Sequence, residues 1–449
     1  MFSNGPEYEA RLRKPFTPPR ISLKQLHDAV PKHLMQKDTL RSAGFVVRDL
    51  VFCAALFACA FYIGPAARTG FGGLVPVTAA WQVQLIQGFL WLSYWWWQGL
   101  VFTSFFCIAH ELGHGTLFDS WYANNILGFL IHSFILVPFF AWKASHNAHH
   151  KAVGSIERDE NYVPYERSDF KLPPEDRARR ADYAEVFEET PIMTLGRLLI
   201  MQGFGWWLYM GFNMMGSKMY PEGTNLLSPY SPIFKKGQRL GIFISDVALV
   251  VMGTALVFFG FRYGWASLVA YYFIPYMYIL PSSASVSGSD PTVFAVVMCT
   301  FLHHSDPTIP HYRKEEWTFL RGATATVDRP ILGWIGRFFF HNVSHDHIAH
   351  HLFSHAPFYN QPQITEAIRS VLMENYNYDS TNSFYALYRS FTECCFIEDE
   401  GSIVFYKNAE GVAVREVSDD ASSMPSATAV PPTLKSASST NTGESTSAP

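Results

Sequence analysis

Histidine clusters are the residues of this chain with the clearest capacity for chemistry. Three short segments contain them: HELGH at 110–114, HNAHH at 146–150 and HIAHH at 347–351. Each segment places histidines at positions i and i+4, and the last two add i+3. On a helix these positions share a face, so each cluster is expected to point two or three imidazoles in one direction. Because neutral imidazole is a good ligand for iron, zinc or copper, the clusters are candidate metal sites.

The number of imidazoles indicates two metal ions rather than one. The candidate ligands are His110, His114, His146, His149, His150, His347, His350 and His351. So many nitrogens exceed what one ion holds, whereas they suit two adjacent ions. The first segment alone is typical of a zinc-protease helix, but that interpretation leaves the histidines of the other two segments unused. Glu111 is therefore expected to accept a hydrogen bond from a ligating imidazole rather than to act as a general base.

A ninth ligand is expected outside the clusters, because two ions that share eight imidazoles leave room for one more. The candidates are His303, His304, His341 and His345. His304 is favoured because it follows the apolar run 291–302 and would emerge from a membrane at the same side as the clusters. His341 is the second choice.

An all-imidazole pair of sites favours iron and oxygen chemistry. It lacks the bridging glutamates of soluble di-iron bundles, and zinc would not need so many ligands. The segments follow apolar stretches, so the expected substrate is apolar. An alkyl C–H bond is inert, and two iron ions with dioxygen as co-substrate are among the few means of breaking it. The protein then selects the carbon that reacts by orienting the chain.

The elements that must position these histidines are membrane helices, and the predicted fold class is an all-α integral membrane protein. About four spans are expected, near residues 50–67, 79–108, 240–261 and 265–302, the last interrupted by PSSASVSGSD at 281–290. A helix crosses the bilayer with about 20 residues. The second stretch is longer, about 45 Å as a helix, so it is expected to carry His110 and His114 into the aqueous phase.

Two further apolar stretches, 125–142 and 195–212, are predicted to lie in the interface or to dip in and out of the membrane. Tryptophans are frequent in the apolar stretches, at Trp91, Trp95, Trp96, Trp97, Trp206 and Trp207. An aromatic belt and helix packing explain them better than the lining of an alkyl channel does.

Charge distribution predicts the orientation and the domain boundaries. Segment 1–43 has eight Lys and Arg, 143–197 has nine, and the loop 68–78 has one. Because cytosolic segments are enriched in Lys and Arg, both termini and the metal-binding face are expected in the cytosol. The predicted organisation is a cytosolic amino-terminal arm at 1–43, one membrane domain at 44–417 that includes the histidine-rich di-metal region, and a disordered tail at 418–449.

Composition agrees with a membrane protein and excludes other classes. Hydrophobic residues make up 49% of the 449 positions and charged residues 16%, against about 25% charged in a soluble domain. The net charge of -4 gives no case for nucleic-acid binding. The six cysteines form no disulfide framework and are read as small buried hydrophobic side chains.

The clusters and their surroundings resemble the membrane fatty-acid desaturase family, and most closely its fungal and plant Δ12, oleate-type branch. The likeness lies in AHELGHG (109–115), FAWKASHNAHHKAVGSIERDENYVP (140–164), LHHSDPTIPHY (302–312), WTFLRGATATVDR (317–329) and HDHIAHHLFSHAPFY (345–359). It extends over about residues 45–405. The first cluster ends in Gly115, a residue that also appears in ω3-type desaturases. The insertion 281–290 falls where the family usually runs unbroken.

The resemblance implies an endoplasmic-reticulum enzyme with a di-iron centre on the eight histidines above, with His304 as the ninth ligand. It implies that oleoyl becomes linoleoyl while dioxygen is reduced to water. It also implies electrons from cytochrome b5 and its reductase; the chain has no HPGG haem motif, so the donor would be a separate protein.

Alternatives remain within and outside this class. An ω3 desaturase, a bifunctional Δ12/Δ15 desaturase, a hydroxylase or a conjugase would share the scaffold. The acyl carrier is a phospholipid or coenzyme A. A membrane metal transporter is the alternative from another class, but it predicts polar residues near the middle of the spans, and only Asp246 lies inside one.

Overall fold

A computed structural model describes residues 3–279 and 295–419, and these residues are mainly helical. The amino-terminal helices are α1 (Pro6–Leu12), α2 (Leu23–Ala29), α3 (Thr39–Ala60), α4 (Ile63–Gly73), α5 (Ala80–His114), α6 (Trp121–Phe134), α7 (Phe139–Ala152), α8 (Arg180–Phe187) and α9 (Pro191–Phe212). The remaining helices are α10 (Arg239–Tyr263), α11 (Trp265–Leu268), α12 (Ile274–Ile279), α13 (Ala295–His304), α14 (Phe319–Thr324), α15 (Gly333–Phe339), α16 (His347–Leu352), α17 (Gln361–Leu372) and α18 (Ser383–Glu393). A π-helical turn, Val269–Phe273, joins α11 to α12.

The short elements complete this description. Strands β1 (His311–Tyr312) and β2 (Ile403–Val404) pair antiparallel, with His311 opposite Val404. The single-turn 3₁₀ helices are Lys32–Met35, Arg167–Phe170, Lys236–Gln238, Phe358–Asn360 and Met373–Asn375.

Helix α5 is the central element of the fold. It has 35 residues, which makes it about 52 Å long. Helices α3, α4, α6 and α12 pack on it. Its side chains from Gln98 to Gly113 are buried, which is possible because the helix is apolar on all sides. The structure thus confirms one continuous helix over the predicted stretch 79–108 and extends it through the first histidine cluster.

Two helices of the described residues are long and apolar enough to cross a membrane, Thr39–Ala60 and Lys236–Tyr263. The pair Trp121–Phe134 and Phe139–Ala152, bent by 110°, raises this number to three if it forms one broken span. The bend falls within the stretch 125–142, which was expected to lie in the interface or to dip in and out of the membrane. Gly128 permits it, because a Cβ atom there would lie 2.4 Å from the Phe139 ring.

The first span differs in position from the predicted stretch 50–67. Helix α3 begins eleven residues earlier, after Asp38, whose carboxylate accepts a hydrogen bond from the Arg41 N–H at 2.9 Å. It ends at Ala60. The polar first turn at Thr39–Arg41 continues the helix beyond the apolar stretch, which hydropathy alone does not reveal. The interruption at 281–290 and the tail beyond residue 419 fall outside the described residues.

A second apolar core, separate from the α5 core, supports the carboxy-terminal third. Leu26 and Val30 of the arm, Ile348 of α16 and Ile364 and Ile368 of α17 share it. Side chains of residues 1–43 are thus part of the same packed body as α16. This core fixes the helix that carries the third histidine cluster.

Candidate metal centre

The first cluster lies at the carboxy-terminal end of α5. His110 and His114 are one turn apart, and their Nε2 atoms are 3.1 Å from each other. Gly115 ends the helix in a left-handed conformation with φ 74°, which glycine adopts without steric cost. The rings therefore stand on the last turn of a long, buried helix.

Helix α7 brings the second cluster against the first. The Nε2 atom of His146 lies 2.8 Å from that of His110 and 3.1 Å from that of His114. His150, one turn later, has its Nε2 atom 3.0 Å from that of His146. Trp142 stacks on His146 with ring centroids 4.5 Å apart, which orients this imidazole.

The third cluster lies on α16, and α13 adds His304. The Nε2 atom of His347 lies 3.2 Å from that of His304 and 3.0 Å from that of His351. His350 faces the first cluster instead, with its ring centroid 4.6 Å from that of His110. All four of these histidines are buried.

The nine predicted histidines thus form two groups. Group one contains His110, His114, His146, His150 and His350, with candidate ligand atoms within 4.8 Å of one another. Group two contains His149, His304 and His351 by the same distance limit, and His347 joins it through its contacts with His304 and His351. Neighbours in sequence, such as His149 and His150, therefore point into different groups. The prediction that every cluster points all its imidazoles in one direction is wrong.

Carboxylates contact the outer nitrogens of these rings. The Nδ1 atom of His149 lies 2.6 Å from Oδ1 of Asp159, which leaves its Nε2 atom for the group. Glu111 Oε1 lies 3.5 Å from Nδ1 of both His110 and His350. A carboxylate on the outer nitrogen fixes the tautomer and the ring orientation of a ligating histidine. Glu111 lies between two of the three clusters. Its Oε1 atom forms no hydrogen bond with the described residues, so its orienting role stays a prediction.

Burial also sets the protonation of the third cluster. It lowers the pKa of His347, His350 and His351 well below the usual value, because the charged form would lose its hydration. These imidazoles are therefore neutral near pH 7, the form that binds metals.

The other candidates for the ninth ligand have different partners. His341 Nε2 lies 2.8 Å from Asp49 Oδ2 and 2.9 Å from Ser104 Oγ, so this histidine ties α3 to α5. His303 Nδ1 bonds the Val327 carbonyl at 2.6 Å, and His345 Nδ1 contacts Ser344 Oγ at 2.9 Å. Of the four candidates, only His304 places a ring nitrogen within hydrogen-bond distance of a clustered histidine.

Sequence reasoning missed two supporting acids. Asp159 follows the second cluster by nine residues, and its position within the conspicuous acidic stretch 157–160 was the only available signal. Asp328 accepts a hydrogen bond from the Ile348 N–H at 2.8 Å and another from the Tyr376 hydroxyl at 2.6 Å. It therefore holds the first turn of α16, a role that no local pattern indicates.

The geometry fits a pair of metal ions. Metal–imidazole bonds of about 2.0–2.1 Å place neighbouring ligand nitrogens about 3 Å apart around one ion, and the measured separations run from 2.8 to 3.2 Å. Nε2 of His350 is buried and has no hydrogen-bond partner among the described residues, which an ion at that position would satisfy. Both groups consist of imidazoles alone, a donor set that suits iron, copper or zinc.

An apolar cavity of about 620 Å³ lies between α3, α5, α6, α10 and the helical run from α11 to α12. Its lining includes Phe102 and Phe105 of α5. Phe102 precedes His110 by about two helical turns, and Phe105 precedes it by slightly more than one turn. No tryptophan is among its lining residues in the part of the chain that the structure describes. Trp95 instead donates from Nε1 to the Ala270 carbonyl at 2.8 Å, a packing role.

Comparison with known proteins identifies the family. The family model described as fatty acid desaturase matches residues 89–382. The chain belongs to the fatty acid desaturase family. The desaturase is 36% identical over 394 residues to the Delta(12) fatty acid desaturase of Mortierella isabellina, covering 87% of this chain and 91% of the relative. It is 32% identical to the Delta(12)-fatty-acid desaturase of Arabidopsis thaliana, with 90% and 96% covered.

The family also includes relatives with another chemistry. The desaturase is 33% identical to the oleate hydroxylase of Claviceps purpurea, covering 90% of this chain and 84% of the relative. Family membership makes the chain an oxidoreductase that acts on fatty-acyl chains, and it removes the metal-transporter alternative.

Proposed function

We propose that the chain is a Δ12 acyl desaturase, which converts an oleoyl group into a linoleoyl group. The observation that carries this proposal is the convergence of nine imidazoles into two adjoining groups in a chain similar to Δ12 desaturases over nearly its whole length. The reaction removes two hydrogen atoms from the chain. With two electrons and two protons from a donor, dioxygen leaves as two waters.

The proposed ligands are the nine histidines of the two groups, and the proposed ions are two irons. When bound, such an iron pair supplies the activated oxygen that breaks an unreactive C–H bond. The residues of the chain do the rest. Glu111 and Asp159 orient the ligand rings, and the buried surroundings of α16 keep competing water away from the site.

The apolar cavity supports an acyl substrate. Its volume falls in the range of about 300–1,000 Å³ of ligand sites, and its walls are almost entirely hydrophobic side chains. Phe102 and Phe105 line this cavity and lie on the same helix as His110, eight and five residues before it. A chain held there would present a fixed carbon to the metal groups, which is how position along the chain is selected.

The proposed topology keeps the four predicted spans near 50–67, 79–108, 240–261 and 265–302, with both termini and the metal groups in the cytosol. Of the corresponding helices, α3 and α10 are long and apolar enough to cross a membrane. The length of α5 supports a crossing, because about 52 Å exceeds the hydrocarbon core of about 30 Å. The high Lys and Arg content of 1–43 and 143–197 supports the orientation. The endoplasmic reticulum as location, and cytochrome b5 with its reductase as electron donor, are proposed from the family resemblance.

Expression in a yeast that makes oleate but no linoleate tests the proposal. We expect linoleate to appear while oleate falls. Hydroxylated oleate would favour hydroxylation instead, the second candidate that the Claviceps relative suggests. Production of α-linolenate from supplied linoleate would identify an ω3 or bifunctional enzyme. An unchanged fatty-acid profile, with the protein present in the membrane, would refute an acyl-modifying function.

A further inference from the structure

A buried cluster of charged side chains flanks the segment that carries His304. It contains Arg11, Asp306, Arg329, Asp379 and Arg389, none more than 8% exposed. Arg329 donates from Nη2 to Asp306 Oδ2 at 2.7 Å and also bonds Asp379, and Arg389 donates to Asp379 Oδ2 at 2.6 Å. Charges so deeply buried persist only where they are paired and hydrogen-bonded. The cluster is therefore a rigid part of the fold.

Arg329 holds the backbone on both sides of His304. Its Nε atom donates to the Leu302 carbonyl at 2.9 Å, two residues before His304. Its Nη2 atom bonds Asp306, two residues after it. The planar guanidinium fixes these two points relative to each other. His304 thus sits in a segment whose ends are fastened to one side chain.

Arg11 completes the cluster from the amino-terminal arm. Its Nε atom donates to Thr308 Oγ1 at 2.8 Å and its Nη1 atom to the Tyr378 carbonyl at 2.6 Å, while Nη2 lies 3.9 Å from Asp306 Oδ2. The Thr308 N–H in turn donates to Asp306 Oδ1 at 2.9 Å. Arg11 therefore secures the turn that presents Asp306 to Arg329.

The rest of α1 is fastened to the same region. The Gly5 N–H donates to Thr381 Oγ1 at 2.7 Å. The Arg389 guanidinium lies 3.5 Å from the centre of the Tyr8 ring, a cation–π contact. These contacts dock the arm independently of Arg11, so a change at Arg11 alters the cluster without releasing the helix.

We propose that the amino-terminal arm, through Arg11, is a positioning element for His304 and hence for the ion of group two. This inference rests on the proposed iron pair. It extends the functional part of the chain into 1–43, which the sequence alone separates from the membrane domain. Group one has no ligand on the fastened segment, so the effect of Arg11 is specific to one of the two ions.

Iron release from the purified full-length protein tests this inference. Wild type and Arg11→Met are loaded with ferrous iron and exposed to an excess of chelator, and the iron retained per chain is followed over time. We expect one of the two ions to leave Arg11→Met about 10-fold faster, since groups that orient ligands change metal affinity by about 10–100-fold. The other ion should leave at the wild-type rate. Arg11→Lys keeps the positive charge but lacks the several N–H groups of the guanidinium. Its rate of iron release should lie between those of wild type and Arg11→Met.

Lys24→Met is the matched control, because Lys24 pairs with Asp28 on the exposed face of the same arm. Both irons should leave the Lys24→Met variant at wild-type rates. The inference would be overturned if Arg11→Met released both irons at the wild-type rate. It would also be overturned if both irons left equally faster, because that result would indicate a general destabilisation of the fold. A wild type that binds no iron pair would instead refute the proposed function. If Arg11→Met does not accumulate, Thr308→Val removes the same hydrogen bond and carries the same expectations.

Discussion

The imidazole rings of His150 and His351 stack with their centroids 4.2 Å apart and their planes inclined by 21°. His150 belongs to group one and His351 to group two, so this contact is the place where the two groups adjoin. Two ions bound by these groups would be neighbours within one centre. The second and third histidine clusters are therefore expected to fail together when either ring is removed.

Replacing His351 by alanine tests that dependence. We expect His351→Ala to abolish new linoleate in the yeast assay and to lower bound iron, because a ring of group two and the contact with His150 are both lost. His355→Ala is the control: His355 is exposed, four residues away, and belongs to neither group. Retention of wild-type product by His351→Ala would contradict the assignment of this ligand.

The ninth ligand is tested by comparing His304→Ala with His341→Ala. His304→Ala should lose iron and product. His341→Ala should keep its iron but lose stability by about 1–2 kcal/mol, because the buried Asp49 carboxylate loses its histidine partner and keeps only Arg48 and Ser104. Iron content and the midpoint of thermal unfolding in detergent separate the two outcomes. The assignment fails if His341→Ala, and not His304→Ala, is the variant that loses iron.

Asp159→Asn tests how much the orientation of His149 contributes to iron affinity. The amide keeps the shape of the carboxylate but loses its charge, so we expect iron affinity to fall by about 10-fold, at the lower end of such effects. A chelator competition measures this change. Asp182→Asn, at an i,i+3 pair in which Arg179 is exposed and Asp182 partly buried, should leave the affinity unchanged. Equal affinities of Asp159→Asn and wild type would show that the charge of Asp159 contributes nothing to metal binding.

Filling the apolar cavity should impair substrate binding and spare the metal. Ala255 lines the cavity from α10, and Ala255→Phe should lower linoleate production by about 10-fold or more, since small displacements of a reacting chain are costly. Iron content should stay at the wild-type level. Val250→Phe, at a 69% exposed position of the same helix, should have little effect. Full activity of Ala255→Phe would place the acyl chain elsewhere.

Helical periodicity predicted only in part which histidines belong to the same group. Residues i and i+4 do share a group, as His146 and His150 do and as His347 and His351 do. The residue at i+3 immediately precedes i+4 and so points about 100° away from it around the helix. With a second ion nearby, that divergence places His149 and His350 in the opposite group from their neighbours. The i, i+3, i+4 spacing therefore distributes the histidines of one helix between two ions. Only the positions of α7 and α16 in the folded chain show this.

Long apolar runs predicted the central helix and two candidate spans, the first displaced by eleven residues, because hydropathy is a local property. The charge cluster around Arg329 was beyond sequence reasoning, since its partners come from three distant segments: Arg11 from the arm, Asp306 from the segment after α13, and Asp379 and Arg389 from the region of α18. The same holds for the contacts of His341 with Asp49 of α3 and Ser104 of α5. Partners brought together by tertiary packing leave no periodic signal in the chain.

The proposed function requires two irons held by imidazoles of both groups. Its most direct test is the iron content per chain of the purified protein, measured together with zinc and copper. We expect two irons per chain in the wild type, a loss in the His150→Ala and His351→Ala variants, and no comparable amount of zinc or copper. A single metal ion per chain, or zinc bound in place of iron in an active preparation, would contradict it.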